Sequence, residues 1–511
     1  MPAAVEAGVV ATSVAQRWPV ADEPTCVLCG RYGAYICDAT DEDVCSLECR
    51  DACCARAETN RFRAEFGLSV VPDNSTPLAT DFASLDLAPE LLANMTELEL
   101  QQPTPIQMQV IPLALDGTDI VVHAPTGTGK TVAFLLPLLA RTMAVRFDSE
   151  TTGILGLVIA PVRELCVQIE SQIKALVHGI PKMRTALLVG GMPLPSQLHR
   201  LSQGVQVAVG TPGRLLSIHT EHGLSLDHVV SCVVDEVDML CEDEFRGAVT
   251  TLLSLLSASR QLSLVTATVT DRVHVFASDV AAGAVVVTQT PPSTAASQCI
   301  PSHISQHVVY VGNEHKTTKL MELLRNKPDD PLHATMVFVA SQQGADMLVK
   351  SIFTACHLPA VSLHGGKTQA ARMQAMESFV SGAASILVST YVLGRGMDLL
   401  AVDDVVVFDF PPTIDEYIHI AGRAGRGGDP GRATVFVNAD SSALFPALVA
   451  GVWRDLSDLP RQVKEAALVH RRRERVAVAA LGTRANAVSE PKRKAMASAS
   501  GRVSKASKLY H

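Results

Sequence analysis

The chain reads as an α/β protein with two parallel-sheet domains in tandem, preceded by a small cysteine-bound finger. Three observations predict this. Short apolar runs alternate with helical stretches twice over, from about residue 81 to 290 and again from about 303 to 450. The runs carry Val, Ile and Leu at consecutive positions, so both faces are buried, as in strands covered by helices on either side. Finally, seven of the 12 cysteines crowd into residues 26–54. That is the pattern of a metal module in an intracellular protein, not of a chain-wide disulfide framework.

The elements follow in order. Residues 1–24 form a flexible N-terminus, and 25–55 hold the finger. There Cys26, Cys29, Cys45 and Cys49 give the spacing C-x2-C-x15-C-x3-C. Four thiolates so spaced suit tetrahedral zinc, and they are the candidate metal ligands. Cys37 and Cys53 or Cys54 could contribute to a second site, which would need another ligand. Residues 56–80 end in Pro72-Asp73-Asn74-Ser75-Thr76-Pro77 and read as a linker. The first domain spans 81–290, with strands expected near 119–124, 156–160, 185–189, 205–209, 229–235, 262–266 and 284–288. A break at Pro291-Pro292-Ser293-Thr294 opens a linker over 291–302. The second domain spans 303–450, with strands near 307–311, 335–339, 360–363, 386–389, 404–408 and 433–437. Residues 451–511 read as a basic, disordered tail carrying Arg471-Arg472-Arg473, Arg475 and Lys492-Arg493-Lys494.

Composition bounds the function. With 511 residues, 47% of them hydrophobic, the chain can bury two or three cores. No run approaches the length of a membrane-spanning helix: Phe134–Ala140 is apolar but short, and it contains Pro137. Glu6 and the lack of an early basic cluster argue against a secretory signal. A net charge of −9 argues against nucleic-acid binding by bulk electrostatics, so any such binding must be local. The tail's basic run suits nuclear import, which leaves nucleus or cytoplasm as the compartment.

The most specific local signal is Ala124-Pro125-Thr126-Gly127-Thr128-Gly129-Lys130-Thr131, directly after the apolar run Ile120-Val121-Val122. A strand, a glycine loop and a helix start make a phosphate cradle, here with Ala124 in place of the first glycine. Backbone N–H groups and the helix N-terminus attract the phosphates. Lys130 would pair with the β/γ phosphates and Thr131 would reach a magnesium ion. In the same domain Ser231-Cys232-Val233-Val234 runs into Asp235-Glu236-Val237-Asp238. Asp235 would hold magnesium through water, and Glu236 would polarise the attacking water.

Together with these, the motifs resemble those of a DEAD-box RNA helicase of superfamily two, in the order that family uses, over roughly residues 82–437. Phe82 precedes Pro103-Thr104-Pro105-Ile106-Gln107, similar to the adenine-reading segment. Pro161-Val162-Arg163-Glu164-Leu165, Gly190-Gly191, Thr211-Pro212-Gly213-Arg214 and Thr266-Ala267-Thr268 follow. The second domain adds His364-Gly365-Gly366 with Gln369 and Arg372, Ser389-Thr390 through Arg395-Gly396-Met397-Asp398, and His419 through Gly422-Arg423-Ala424-Gly425-Arg426. The cysteine segment is similar to a zinc-HIT finger, which places the chain beside the zinc-HIT-bearing subgroup.

The resemblance implies two RecA-like domains and an ATP-hydrolysing RNA helicase using ATP, Mg2+ and Zn2+. Gln107 would read adenine, Asp398 would touch the ribose, and Arg423 and Arg426 would act as arginine fingers on closure. Arg163, Gly191, Thr211, Arg214, Gln369, Thr390 and Arg395 would hold RNA. The finger would dock protein partners, and the chain is expected to work as a monomer.

The chain departs from the family at several positions. Val162 stands where Thr is usual, Leu100 where an aromatic packs on adenine, and Val237 replaces alanine in the motif that names the family. Tyr391 and Ile420 replace an acid and a cation, and these two favour a rival reading: a helicase-like scaffold with weak or uncoupled ATPase.

Overall fold

The computed structural model describes residues 10–72, 76–125, 127–145, 153–290, 300, 303–326, 333–391, 402–425, 429–453, 459–466 and 468. The basic tail beyond 468 lies outside the described residues, as do the site candidates Thr126, Arg395, Asp398 and Arg426.

The finger holds a short hairpin, β1 (Tyr35–Cys37) against β2 (Glu42–Val44). The helix Leu47–Glu65 follows, capped by the Ser46 hydroxyl, which accepts from the Cys49 N–H. β3 is Leu68–Val71. The first domain supplies β4 (Ile120–His123), β5 (Gly156–Ile159), β6 (Thr185–Leu188), β7 (Val207–Gly210), β8 (Ser231–Val234), β9 (Gln261–Thr266) and β10 (Val285–Gln289). The second supplies β11 (Ile304–Tyr310), β12 (Thr335–Val339), β13 (Ala360–Leu363), β14 (Ile386–Thr390), β15 (Asp404–Val407) and β16 (Gly431–Val437). Every strand expected from the sequence of the two domains is present within a few residues.

The first sheet runs β3-β10-β4-β9-β8-β5-β7-β6 and the second β11-β16-β15-β12-β14-β13. All pairs in them are parallel except β3 with β10. Strands such as Gly156–Ile159 and Ser231–Val234 are buried at every position, because helices cover both faces. Two apolar cores result, one on each face of the first sheet, and the second sheet repeats the arrangement. In such folds the loops at the carboxyl ends of the strands carry the site. Here those ends hold the phosphate loop after β4, the acids after β8 and the Thr266-Ala267-Thr268 segment after β9.

The expectation of a linker over 56–80 needs correction. The finger helix continues to Glu65, and β3 then adds to the edge of the first sheet, Val70 opposite Val287. Phe62, Phe66 and Val70 pack against the first domain's core, so apolar burial holds a segment whose Pro and Asn content suggested a tether. Gly67 makes the turn with φ +64, and its site leaves no room for a side chain beside Thr290.

Candidate nucleotide and nucleic-acid site between the domains

The phosphate loop leaves β4 and enters the helix Lys130–Ala144 through Gly129. Gly129 has φ +88, and a Cβ there would meet Gln107 Nε2 at 2.5 Å, so both the turn and the packing require glycine. Gln107 is 3% exposed. Its Nε2 donates to Gly129 O at 3.0 Å, and its Oε1 accepts from Thr104 N–H at 2.9 Å. Thr104 Oγ1 donates to Thr128 O at 2.8 Å, and Thr128 Oγ1 donates to Pro125 O at 2.9 Å. The adenine-segment helix Pro105–Leu115 and the loop are thus one hydrogen-bonded unit. Lys130 lies inside the loop, its Nζ donating to Ala124 O at 2.8 Å and Pro125 O at 2.9 Å. Ala124 is fully buried, and its N–H donates to Thr266 O at 3.3 Å. Gly127 turns through φ +77, and Thr131 stands in the first turn of the helix, half-buried. Leu100 packs on the first domain's core.

Asp235 and Glu236 leave β8 together. Asp235 Oδ1 accepts the Glu236 N–H at 3.0 Å. Glu236 has φ 55, a left-handed conformation for a non-glycine residue. That conformation costs on the order of 1–3 kcal/mol and is typical of functional sites. Asp235 and Thr131 offer the hard oxygen donors that magnesium takes.

The domains meet at this same end. His419 Nε2–H donates to Asp238 Oδ2 at 2.9 Å, and Thr268 Oγ1 donates to the same oxygen at 2.6 Å. Glu236 brings a ligand atom within 4.8 Å of those of both Asp238 and His419. On the other side, Arg372 pairs with Glu164, both almost fully buried. Gln369 Nε2 donates to Glu164 Oε1 at 3.4 Å, and Arg163 donates to Gln369 Oε1 at 3.4 Å. The sequence reading assigned no role to Glu164 or Asp238 as inter-domain partners. The available signal was that each sits inside a motif, Pro161–Leu165 and Asp235–Asp238. Arg423 is 2% exposed, and its carbonyl accepts the Val402 N–H.

Alongside these bonds lies a cavity of about 860 Å3. Arg163, Thr211 and Arg214 line it from the first domain, and Arg372 and Thr390 from the second. Gly190 rather than Gly191 faces it, and Gln369 lies behind Arg163. Glu242, Glu244 and Glu416 also line it, and Arg372 is paired with Glu164, so Arg163 and Arg214 are the lining cations not drawn into that pair.

In the finger, Cys26, Cys29, Cys45 and Cys49 bring their sulfurs within 4.8 Å of one another. The separations Cys29–Cys45, Cys45–Cys49 and Cys29–Cys49 are 3.4, 3.5 and 3.9 Å. Thiolates about 2.3 Å from a tetrahedral zinc would be roughly 3.8 Å apart, whereas a disulfide needs about 2.05 Å. The donor set fits zinc. Burial opposes ionisation of Cys26, but the N–H groups of Cys29, Leu28 and Cys45 bring its pKa down to about 7. Burial pushes Cys49 up.

The comparisons with known proteins agree with this geometry. Residues 104–276 match the DEAD/DEAH box helicase family, 315–428 the helicase conserved C-terminal domain, and 22–51 the HIT zinc finger. DEAD-box ATP-dependent RNA helicase 41 of Arabidopsis thaliana is 38% identical, over 88% of this chain and 93% of its own. The chain belongs to the DEAD-box helicase family. Within that family it falls in the subgroup with a HIT finger ahead of the motor. Probable ATP-dependent RNA helicase DDX59 of Homo sapiens is 36% identical, over 90% of this chain and 79% of its own. Among solved structures, S. cerevisiae Dbp5 bound to RNA and ADP BeF3 is similar, with TM-score 0.63 and 26% identity. That match covers 76% of this chain and all of the other. Among the described residues no helix is long and apolar enough to cross a membrane.

Proposed function

We propose that this DEAD-box protein is an ATP-dependent RNA helicase, which separates short RNA duplexes locally and hydrolyses ATP to release its RNA. The observation that carries the reading is the assembly of one site from two domains. Arg163, Thr211 and Arg214 face Thr390 and Arg372 across one cavity, while Asp238–His419 and Glu164–Arg372 hold the halves together.

The chemistry follows from those positions. The triphosphate would lie on the N–H groups of the glycine loop, with Lys130 Nζ turning from the loop carbonyls to phosphate oxygens. Magnesium, when bound, would neutralise charge between the phosphates, with Asp235 and Thr131 as its protein partners. Glu236 would hold the attacking water. Arg423 and Arg426 would bring positive charge to the transferring phosphate only while the domains are closed. Asp398 would meet the ribose. RNA would run along the Arg163–Arg214 wall, held at phosphates and 2′-hydroxyls, so sequence would matter little. ATP and RNA would each favour closure and so favour each other. The finger would recruit protein partners.

Two departures from the family fit into packing without touching Lys130 or Glu236. Ile420 is fully buried in the second domain's core, and the Tyr391 hydroxyl donates to Asp409 O at 2.7 Å. This supports turnover over the scaffold reading. Steady-state ATP hydrolysis with and without single-stranded RNA tests the proposal: RNA should stimulate it and Lys130→Ala should remove it. No hydrolysis in either condition would leave the scaffold reading standing.

A further inference from the structure

The helix Leu47–Glu65 joins the two chemical centres of the molecule. Cys49, a metal ligand candidate, is in its first turn, and Arg63 is in its last. Arg63 lies fourteen positions further along the helix than Cys49, a rigid span of about 21 Å. Arg63 is 5% exposed, and its Nε donates to Gln109 Oε1 at 2.8 Å. Gln109 is fully buried on the helix Pro105–Leu115, two residues beyond Gln107. Gln107 in turn holds the phosphate loop at Gly129 O. A second path runs through the sheet: β3 follows the finger helix, pairs with β10, and β10 pairs with β4, whose end begins the loop.

We propose that Arg63 is a positioning residue for nucleotide binding, through which the metal state of the finger is coupled to the phosphate cradle. Arg63 touches no phosphate. It fixes the register of the helix that presents Gln107 and Thr104 to the loop. With zinc in place, the four thiolates pin the first turn of the finger helix to the hairpin, and the far end holds Gln109. Without it, the first turn loses its anchor and the helix can shift along the first domain. Coupling of this kind is reciprocal: nucleotide that favours one placement of Pro105–Leu115 must also favour metal retention.

The inference rests on the nucleotide reading given above, and two measurements on the full chain separate them. The fluorescent nucleotide mant-ADP is titrated into the unaltered chain, Arg63→Met and Arg63→Lys. Loss of one partner of a buried hydrogen bond predicts binding roughly tenfold weaker in Arg63→Met. ATPase turnover at saturating ATP should stay within about twofold, and Arg63→Lys should recover most of the affinity because an ammonium can still donate to Gln109. In the second measurement, zinc release to a chelating dye should slow about threefold when mant-ADP saturates the unaltered chain, and the slowing should be clearly smaller in Arg63→Met, where only the path through the sheet is left.

Equal mant-ADP affinity in the unaltered chain and Arg63→Met would overturn the inference alone. No mant-ADP binding by the unaltered chain would overturn the nucleotide reading and this inference with it. Should Arg63→Met fail to fold, zinc release from the unaltered chain decides, and release indifferent to mant-ADP overturns the coupling.

Discussion

The finger and the first domain bury themselves by different means. The finger's buried cluster contains Cys26, Cys37, Cys45, Cys49 and Cys53, and Val44 is its one aliphatic member. Large apolar side chains in it and in the segment just before it point outward instead: Ile36 is 63% exposed, and Trp18 and Val20 ahead of it are 63% and 65% exposed. The first domain does the reverse, with Val, Ile and Leu strands buried on both faces and the buried charges Lys130, Asp235 and Glu236 placed just past the carboxyl ends of strands. The difference teaches that a metal site frees a short chain from the need for an apolar interior. The apolar residues so released become available as a contact surface.

The largest effect that would break this contrast is loss of the metal. Binding of a structural zinc supplies on the order of 10 kcal/mol to a small module. Cys45→Ser should therefore abolish stoichiometric zinc, measured by elemental analysis, and expose Trp18 fully, measured by its emission. Far-UV circular dichroism of the two sheets should be nearly unchanged. Collapse of the whole chain on this substitution would show that the two regions are not stabilised separately.

Next in size is Lys130→Ala. Removing a preorganised cation from a phosphoryl-transfer site costs about 100-fold or more in turnover. RNA-stimulated hydrolysis should fall by that factor while zinc content stays at one per chain. The two substitutions together would separate the regions by their main effects: Lys130→Ala should leave zinc content unchanged, and Cys45→Ser should leave turnover at saturating ATP within about twofold while weakening nucleotide binding.

Glu164→Gln tests the contact between the domains. Glu164 is 2% exposed and pairs with Arg372, so neutralising it leaves a buried guanidinium short of its counter-charge. RNA affinity in the presence of a non-hydrolysable ATP analogue should weaken by roughly tenfold. RNA affinity without nucleotide should change little, because domains held apart would not make this pair. Fluorescence anisotropy of labelled RNA measures both.

These pairs also mark what was legible in the sequence. The strands of both domains could be read because each is an apolar run flanked by polar helices, and burial on two faces leaves no ambiguity of period. β1 and β2 could not be read, since three-residue strands held by a metal need no apolar run. β3 was hidden by Pro72 and the polar stretch after it. The site residues were nameable one by one from their motifs. Their meetings were not: Asp238 and His419 stand 181 positions apart, Glu164 and Arg372 stand 208 apart, and no periodicity connects them. Tyr391 and Ile420 looked like losses of charge, and only packing reveals that both serve the second domain's interior.

The smallest predicted effect concerns His123, and it sharpens the contrast through pH. His123 ends β4, immediately before the phosphate loop, with Nε2 3.1 Å from Ala267 O. Burial holds its pKa below the ordinary histidine value, and the charge of Lys130 adds to this. The unfolded chain therefore takes up this proton first as the pH falls through about 6.5. Over the interval down to the folded-state pKa the unfolded state binds more protons, so stability rises with pH there and is lost on acidification. The stabilisation is complete above about pH 6.5 and gone below the folded-state pKa. Acid also strips the finger, because protons compete with zinc for the thiolates. Both regions thus weaken in the same direction through unrelated groups. His123→Leu removes the motor's share alone: its thermal midpoint should fall less than that of the unaltered chain between pH 7.5 and 5.5, while zinc release follows the same pH curve in both. A midpoint that falls equally in the two proteins would assign the whole acid sensitivity to the finger and to other groups.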